Sequence, residues 1–427
     1  MKYEPTADFA ASADDADPLR PLREKFHLPA GDDGAPLIYF CGNSLGLQPK
    51  HAARLVEEEL EDWQRLAVQG HLQARRPWLP YHEQLAAHTA ELAGAEPLEV
   101  VSMNTLTVNL HLMMVSFYRP VSERYRLLIE KPAFPSDRYA AESQVRFHGF
   151  DPAGALIEIG PREGEEAIRE ADLMACIERE GKSIALVLLP GVQYYSGQAF
   201  DMAAITRLAR AQGCMVGFDL AHAIGNLPLE LHGWGADFAV WCSYKYLNGG
   251  PGAVAGCFVH ARHARQFELP RFAGWWGHDK ATRFRMGPTF SPLPGAEGWQ
   301  LSNPPILSLA PVIASLEIFH QAGMAALRRK ALALTGYLEY LLRERCADRI
   351  RMLTPTAAEA RGCQLSLKLA AGLERGPALF AELEASGIVA DWREPDVIRV
   401  APVPLYNSFD EVYRFVDSLQ RLLNQYA

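Results

Sequence analysis

Positive charge is scarce in this chain of 427 residues: 42 lysines and arginines stand against 51 aspartates and glutamates, a net charge of -9. That balance removes the basic stripe a nucleic-acid backbone demands. The pair Arg75-Arg76 is too short to restore it. Long apolar runs are also missing, and none reaches the ~20 residues a membrane-crossing helix needs. Residues 1–17 are polar and acidic, without the basic start and apolar stretch of a secretory signal. The cysteines, Cys41, Cys176, Cys214, Cys242, Cys257, Cys346 and Cys363, are odd in number and scattered, with no C-x-x-C pair. They read as reduced core residues, with no disulfide framework and no metal site. The expectation is a cytoplasmic globular protein without nucleic-acid or membrane partners, its 49% hydrophobic and 22% charged residues supplying an ordinary core and surface.

From about residue 126, short β-type runs alternate with helix-length segments: 126–130, 156–159, 184–189, 215–219, 238–244 and 253–259. Apolar strands separated by helices such as 202–212 predict an α/β fold with a mostly parallel sheet covered on both faces. The last two runs are joined by a Gly-rich loop too short for a helix, so they are expected to pair antiparallel. Before the sheet, a helix is expected over about 49–68, with Leu55, Leu60, Trp63 and Leu66 as its apolar stripe and the acidic run Glu57-Glu58-Glu59 with Glu61-Asp62 as a solvated face. A second helix is expected over 102–117, with Asn104 and Thr105 as candidate caps. Beyond a Pro-rich stretch at 288–305, helices over about 307–321 and 324–345, strands at 364–369 and 397–400, a helix near 378–386 and a final helix predict a smaller second domain.

Two residues carry the chemistry. Asp219 ends the apolar run Met215-Val216-Gly217-Phe218, and Lys245 follows the run that starts at Phe238, with Gly249 and Gly250 after it. Ligands of open α/β sheets collect at the carboxyl ends of strands. An acid and a lysine placed there suit pyridoxal phosphate, an electron sink that attaches to a lysine as a Schiff base and whose ring nitrogen needs an acidic partner. Taken alone, Asp219 reads as a cap and Lys245 as a surface lysine; only the joint placement favours the cofactor.

Weaker signals fall on the same sheet edge. Thr105-Leu106-Thr107 opens a helix, and hydroxyls beside free N–H groups suit a phosphate. Phe134-Pro135-Ser136-Asp137 follows a strand end, where Phe134 can stack on a flat ring and Asp137 can bond near its nitrogen. His222 stands three residues after Asp219, and Tyr244 immediately precedes Lys245. Arg399 lies in a short C-terminal strand and suits a substrate carboxylate. The run Gly250-Pro251-Gly252-Ala253-Val254-Ala255-Gly256 mimics a dinucleotide fingerprint, but its glycines precede a β-type run where that motif would open a helix.

Taken together, these strings resemble the kynureninase family. The similarity runs through Tyr39-Phe40, 42–50, Arg76-Pro77-Trp78, 134–137, 217–222, 241–248, 274–278, 302–307 and 399–409, nearly the whole chain. The resemblance implies a fold type I, aminotransferase-like enzyme: a large domain with a mostly parallel seven-stranded sheet sandwiched by helices, and a smaller α+β domain. It divides the chain into an N-terminal segment at 1–49, packing on the small domain and active site, a cofactor domain at 50–308 and a small domain at 309–427. The implied activity is hydrolysis of L-kynurenine or 3-hydroxy-L-kynurenine to anthranilate or 3-hydroxyanthranilate plus L-alanine, in tryptophan catabolism or de novo NAD biosynthesis.

By position, Lys245 becomes the Schiff-base lysine, Asp219 the partner of the ring nitrogen and Phe134 the stacking ring. Leu106, Thr107, Pro135, Ser136, Asp137, His222 and Tyr244 complete the cofactor shell, with Tyr244 a proton donor in catalysis. Trp275 and Asn303 match positions that reach a site across a homodimer interface, Arg399 matches the carboxylate clamp, and His71, Ser302 and Asn303 match an aromatic pocket favouring the 3-hydroxylated substrate. Pro190 departs from a serine of animal-type relatives, removing a hydroxyl. The competing readings are a cysteine desulfurase or selenocysteine lyase of the same fold, which needs a mobile loop cysteine, and a non-catalytic cofactor-binding regulator, which needs an appended DNA-binding module.

Overall fold

The computed structural model describes residues 2–370 and 376–425. Near its N-terminus the strand β1 (Ile38–Tyr39) leads into the turn-rich stretch 40–49 and the helix Lys50–Leu66. The strands β2 (Val100–Ser102), β3 (Arg126–Glu130), β4 (Leu156–Ile159), β5 (Ile184–Pro190), β6 (Met215–Asp219), β7 (Phe238–Trp241) and β8 (Gly256–Val259) form one sheet in the order β2-β8-β7-β6-β5-β3-β4. Its central pairs are parallel, while β7 with β8 and β8 with β2 are antiparallel. The return strand expected from the short Gly-rich loop is therefore present. In β5 the run Ile-Ala-Leu-Val-Leu-Leu is buried throughout, as a strand covered on both faces must be.

The second sheet is built from β9 (Ile350–Met352), β10 (Leu365–Leu369), β12 (Asp391–Arg393) and β13 (Val397–Val400), in the antiparallel order β12-β13-β10-β9. Between them β11 (Ile388–Val389) pairs in parallel with β1, tying the N-terminal segment to this layer. The helices Ile306–Ala322 and Met324–Cys346 meet at Gly323, whose φ of 73° suits only glycine at a helix break. Core side chains form one cluster on each face of the large sheet and another between the small sheet and its helices. Among the described residues no single helix is long and apolar enough to cross a membrane.

Three local expectations are corrected. The acidic run of the helix Lys50–Leu66 is only partly a solvated face: Glu57 and Glu61 are exposed but Glu59 and Asp62 are buried, and of the expected stripe Leu55 is buried while Leu60 and Trp63 are exposed. Glu59 accepts hydrogen bonds from Arg76 Nε at 2.7 Å, Trp78 Nε1 at 2.9 Å and the Tyr81 hydroxyl at 3.1 Å, and Asp62 accepts from the Arg75 amide at 2.7 Å. The donors of 75–81 thus outcompete the apolar stripe for the buried side, because each carboxylate there gains several charge-assisted bonds. Ser102 does not open a helix: it ends β2, and the helix begins at Leu106 after Asn104 turns the chain at φ 51°. Finally, β7 stops at Trp241, so Tyr244 and Lys245 sit on a loop beyond the sheet.

Candidate active site

The parallel strands β3, β5 and β6 end in Glu130, Pro190 and Asp219, and all three residues line one cleft. The cleft holds about 540 Å³ of space free of protein atoms, open mouth included. Of the residues picked from the sequence, Leu106, Thr107, Phe134, Ser136, Asp137, Asp219, His222, Tyr244 and Lys245 line it. Pro135 stands beside them as the first residue of the helix Pro135–Phe147. Pro190 lies level with Asp219 in the sheet, so the missing hydroxyl is missing at the wall of the cleft.

Lys245 is brought here by the loop after β7, and its Nζ lies 3.0 Å from His222 Nε2 and 5.9 Å from the Phe134 ring centre. A lysine ammonium has donors and no acceptor, so Nε2 is assigned as the acceptor and the ring's own hydrogen goes to Nδ1. Burial, followed by the charges of Lys245, Arg399 and Arg393, holds the basicity of His222 well below the ordinary value, in keeping with a neutral ring. Gly46 packs against this loop, its amide donating to the Tyr244 carbonyl at 2.8 Å; a Cβ there would meet the Lys245 carbonyl at 2.3 Å.

The base of the cleft is acidic. Asp219 is buried and accepts from the Ala221 amide at 2.7 Å. Asp137 lies close enough to share a hydrogen bond with it; burial first, then Asp219, raises the Asp137 carboxyl well above its ordinary value. Glu130, also buried, is pushed up to about 8 by desolvation and by the charge of Asp219. Asp137 Oδ1 and His222 Nδ1 are buried without a hydrogen-bond partner. Three carboxyl groups facing a single amine, with two orphaned polar atoms, fit a cationic polar ring.

Above the acids, the helices Leu106–Phe117 and Pro135–Phe147 both start without a side-chain cap. Their first turns are bridged by Thr107 Oγ1 and Ser136 Oγ at 2.9 Å. Two uncapped helix starts with hydroxyls between them suit a phosphate. Phe134 keeps a face open to solvent, its ring edge-on to Tyr194 at 5.3 Å between centres. Tyr244 is half-buried, and burial raises its phenol above the ordinary value.

Not every sequence-picked residue reaches the cleft. Arg399, on β13, is 1% exposed and donates from Nη1 to the Tyr194 carbonyl at 2.6 Å, with Asp391 as its ion-pair partner. His71 packs edge-on against Trp78 at 5.5 Å, Ser302 and Asn303 are exposed, and Trp275 donates to the Arg283 carbonyl at 3.1 Å. None of these five lines the cleft of a single chain. Conversely, sequence reasoning missed Glu130, Val192, Tyr194 and Ala221. Glu130 had a readable signal, since it ends an apolar strand just as Asp219 does; Tyr194 had none.

The Kynureninase C-terminal domain family matches residues 327–419. The kynureninase of Myxococcus xanthus (strain DK1622) is 60% identical over 418 residues, covering 98% of this chain and 97% of the relative. That of Koribacter versatilis (strain Ellin345) is 57% identical over 422 residues, covering 99% of each chain. Among solved structures, the Escherichia coli cysteine desulfurase CsdA aligns with a TM-score of 0.75 at 14% identity, over 95% of this chain and 98% of its own. A cysteine desulfurase from Thermococcus onnurineus NA1 aligns with a TM-score of 0.75 at 18% identity, over 91% and 95%. Likeness at such identities speaks for the fold alone. The near full-length identity to the two kynureninases is of another order, and by it the chain belongs to the kynureninase family.

Proposed function

We propose that this protein is a pyridoxal phosphate-dependent hydrolase that cleaves the Cβ–Cγ bond of L-kynurenine or 3-hydroxy-L-kynurenine with water, releasing anthranilate or 3-hydroxyanthranilate and L-alanine. The observation that carries the cofactor is the crowded acid cluster at the cleft base, with Asp137 Oδ1 and His222 Nδ1 buried and without hydrogen-bond partners. The cofactor, when bound, supplies a sink for negative charge developing at the substrate's α and β carbons.

The chain's residues do the rest. Lys245 Nζ is the covalent anchor; once displaced by the substrate amine, it takes the proton from Cα. His222 Nε2, at 3.0 Å, orients that amine. Asp219 keeps a proton on the ring nitrogen, Asp137 bonds beside it, and Phe134 stacks on the ring. Thr107, Ser136 and the two helix starts hold the phosphate. Arg399 clamps the α-carboxylate. Water would then add to the γ carbonyl carbon and the Cβ–Cγ bond break with its electron pair left on Cβ, Cγ leaving as the carboxyl of the aromatic acid; Tyr244 would protonate Cβ, and Lys245 would return the Cα proton to Cα before its Nζ displaces the amine of alanine.

The reading further assigns Trp275, Asn303, Ser302 and His71 to the cleft of a second copy in a homodimer. Support comes from the exposed apolar group around Trp275, where Phe284 packs edge-on at 5.4 Å and both Phe284 and Met286 face solvent. His71, Ser302 and Asn303 supply polar donors for a ring hydroxyl, favouring 3-hydroxykynurenine. All seven cysteines are free thiols, which supports a reducing, cytoplasmic setting. Six of them are buried, and burial pushes the thiol of the seventh, Cys41, up to about 11, so none resembles an exposed sulfur acceptor of a desulfurase.

Steady-state assays with both kynurenines, on wild type and Lys245→Ala, test the reading. Wild type is expected to release fluorescent anthranilate, and the variant to lose turnover at least ~10³-fold. Full turnover in the variant refutes the role of Lys245, and equal kcat/KM for the two substrates refutes the ring preference.

A further inference from the structure

Around Arg399 the second sheet holds a charge arrangement that a simple clamp does not require. Asp391 lies directly opposite Arg399 across the β12–β13 ladder, so both side chains project from one face; Arg393, two residues along β12, projects from the same face. Arg399 donates from Nε to Asp391 Oδ2 and from Nη1 to the Tyr194 carbonyl, and its Nη2 forms an ion pair with the same Oδ2. Arg393 Nε reaches that same Oδ2 at 3.0 Å. Arg399 is 1% exposed, and a guanidinium buried to that degree needs a partner when no ligand is bound.

A count of donors makes the arrangement informative. Guanidinium carries five N–H groups: one on Nε and two on each terminal nitrogen. Asp391 takes the Nε hydrogen and the Tyr194 carbonyl takes one from Nη1, while Nη2 is ion-paired with the same Asp391 oxygen, so at least one N–H remains on each terminal nitrogen. That is the pair a carboxylate accepts bidentately. A count of charge agrees, since two guanidiniums share one carboxylate. The cluster keeps a net positive charge that one further carboxylate would balance.

From this we infer that Asp391 and Arg393 are positioning residues for substrate recognition: Asp391 and the Tyr194 carbonyl fix the plane of Arg399, and Arg393 offsets Asp391 so that the cluster keeps a net positive charge toward an α-carboxylate. The inference rests on the proposed role of Arg399 as the carboxylate clamp. Tyr194 links the cluster to the cofactor end of the site, because its carbonyl holds Arg399 while its ring lies against Phe134.

The test uses cofactor-loaded wild type, Asp391→Asn and Arg393→Met, titrated with L-alanine and with ethylamine, which differs from alanine by lacking the carboxylate. Binding is followed by the visible cofactor band, and L-kynurenine turnover is measured separately. Wild type is expected to prefer alanine strongly, and each variant to lose about tenfold or more of that preference while its ethylamine affinity holds. The loss with L-kynurenine is expected in KM more than in kcat. An alanine-to-ethylamine ratio within about twofold of wild type in Asp391→Asn overturns the inference, as does a tighter hold on alanine, the outcome if Asp391 merely weakened the field of Arg399. Arg393, 37% exposed in its side chain, gives a variant whose folding is not at stake should Asp391→Asn fail to fold. A wild type that discriminates the two ligands yet leaves kynurenine uncleaved sinks the proposed reaction and leaves this inference standing; a wild type that does not discriminate them sinks the inference.

Discussion

Replacing Glu130 with glutamine should stabilise the cofactor-free protein by an amount that grows with pH. Glu130 is buried at the end of β3, and its carboxyl is pushed from the ordinary 4.5 up to about 8, first by desolvation and then by Asp219. Below about pH 4.5 both folded and unfolded chains hold the proton, so the group contributes nothing. Between about 4.5 and 8 the unfolded chain releases a proton that the folded chain retains, and stability falls by about 1.4 kcal/mol per pH unit. The cost is roughly 3 kcal/mol at pH 7 and levels off on the order of 5 kcal/mol above pH 8. Glutamine has the same shape and no charge, so it removes the slope while keeping a polar group that needs the same partners as the protonated acid. Urea unfolding of apoprotein, wild type against Glu130→Gln at pH 5, 7 and 8.5, isolates the effect, because the other titrating groups cancel in the difference. A difference constant to within ~0.5 kcal/mol over that range, or one that shrinks as pH rises, refutes the acid cluster as described. Added cofactor should reduce the difference, since a cationic ring stabilises the ionised carboxyl.

Two further outcomes follow from the same geometry. Phe134→Ala removes the most exposed aromatic ring of the cleft and should weaken cofactor binding by up to about tenfold, measured by titrating apoprotein with the cofactor; unchanged affinity means the ring stacks elsewhere. Asp219→Asn should slow turnover by about 10²-fold or more while raising the urea midpoint of the apoprotein, because the buried acid is costly until a cation arrives; a variant destabilised in both apo and cofactor-bound forms contradicts that account.

The layout of the fold could be read because parallel strands buried on both faces become mostly apolar runs, and β3, β5 and β6 are such runs. The strands β1, β9, β11 and β12 were invisible for the opposite reason: they are two or three residues long, and pairing, not periodicity, makes them strands. The helix Lys50–Leu66 misled because its pattern is amphipathic in either sense. Which face turns inward was decided by Arg75, Arg76, Trp78 and Tyr81, donors beyond the helix that no periodicity reveals. In the site, Asp219 and Lys245 could be read because strand ends converge by topology. Asp391 and Arg393 could not, since their meaning comes from a register that places Asp391 against Arg399.

On the proposed reading, the acids of the cleft and the guanidinium pair linked to it through the Tyr194 carbonyl serve one site. Glu130, Asp137 and Asp219 are held together without enough cations, while Arg393 and Arg399 share a single carboxylate. Each imbalance is costly in the empty protein, and each is relieved by a ligand of opposite sign, a cationic ring below and an anionic carboxylate above. A molecule with only one of these charges leaves the other imbalance unrelieved. His222 already registers both, its basicity depressed by Lys245 from one side and by Arg399 and Arg393 from the other. The neutral imidazole that results can accept the Lys245 proton at Nε2 without competing for the acids beneath, which keeps Asp219 available for the ring.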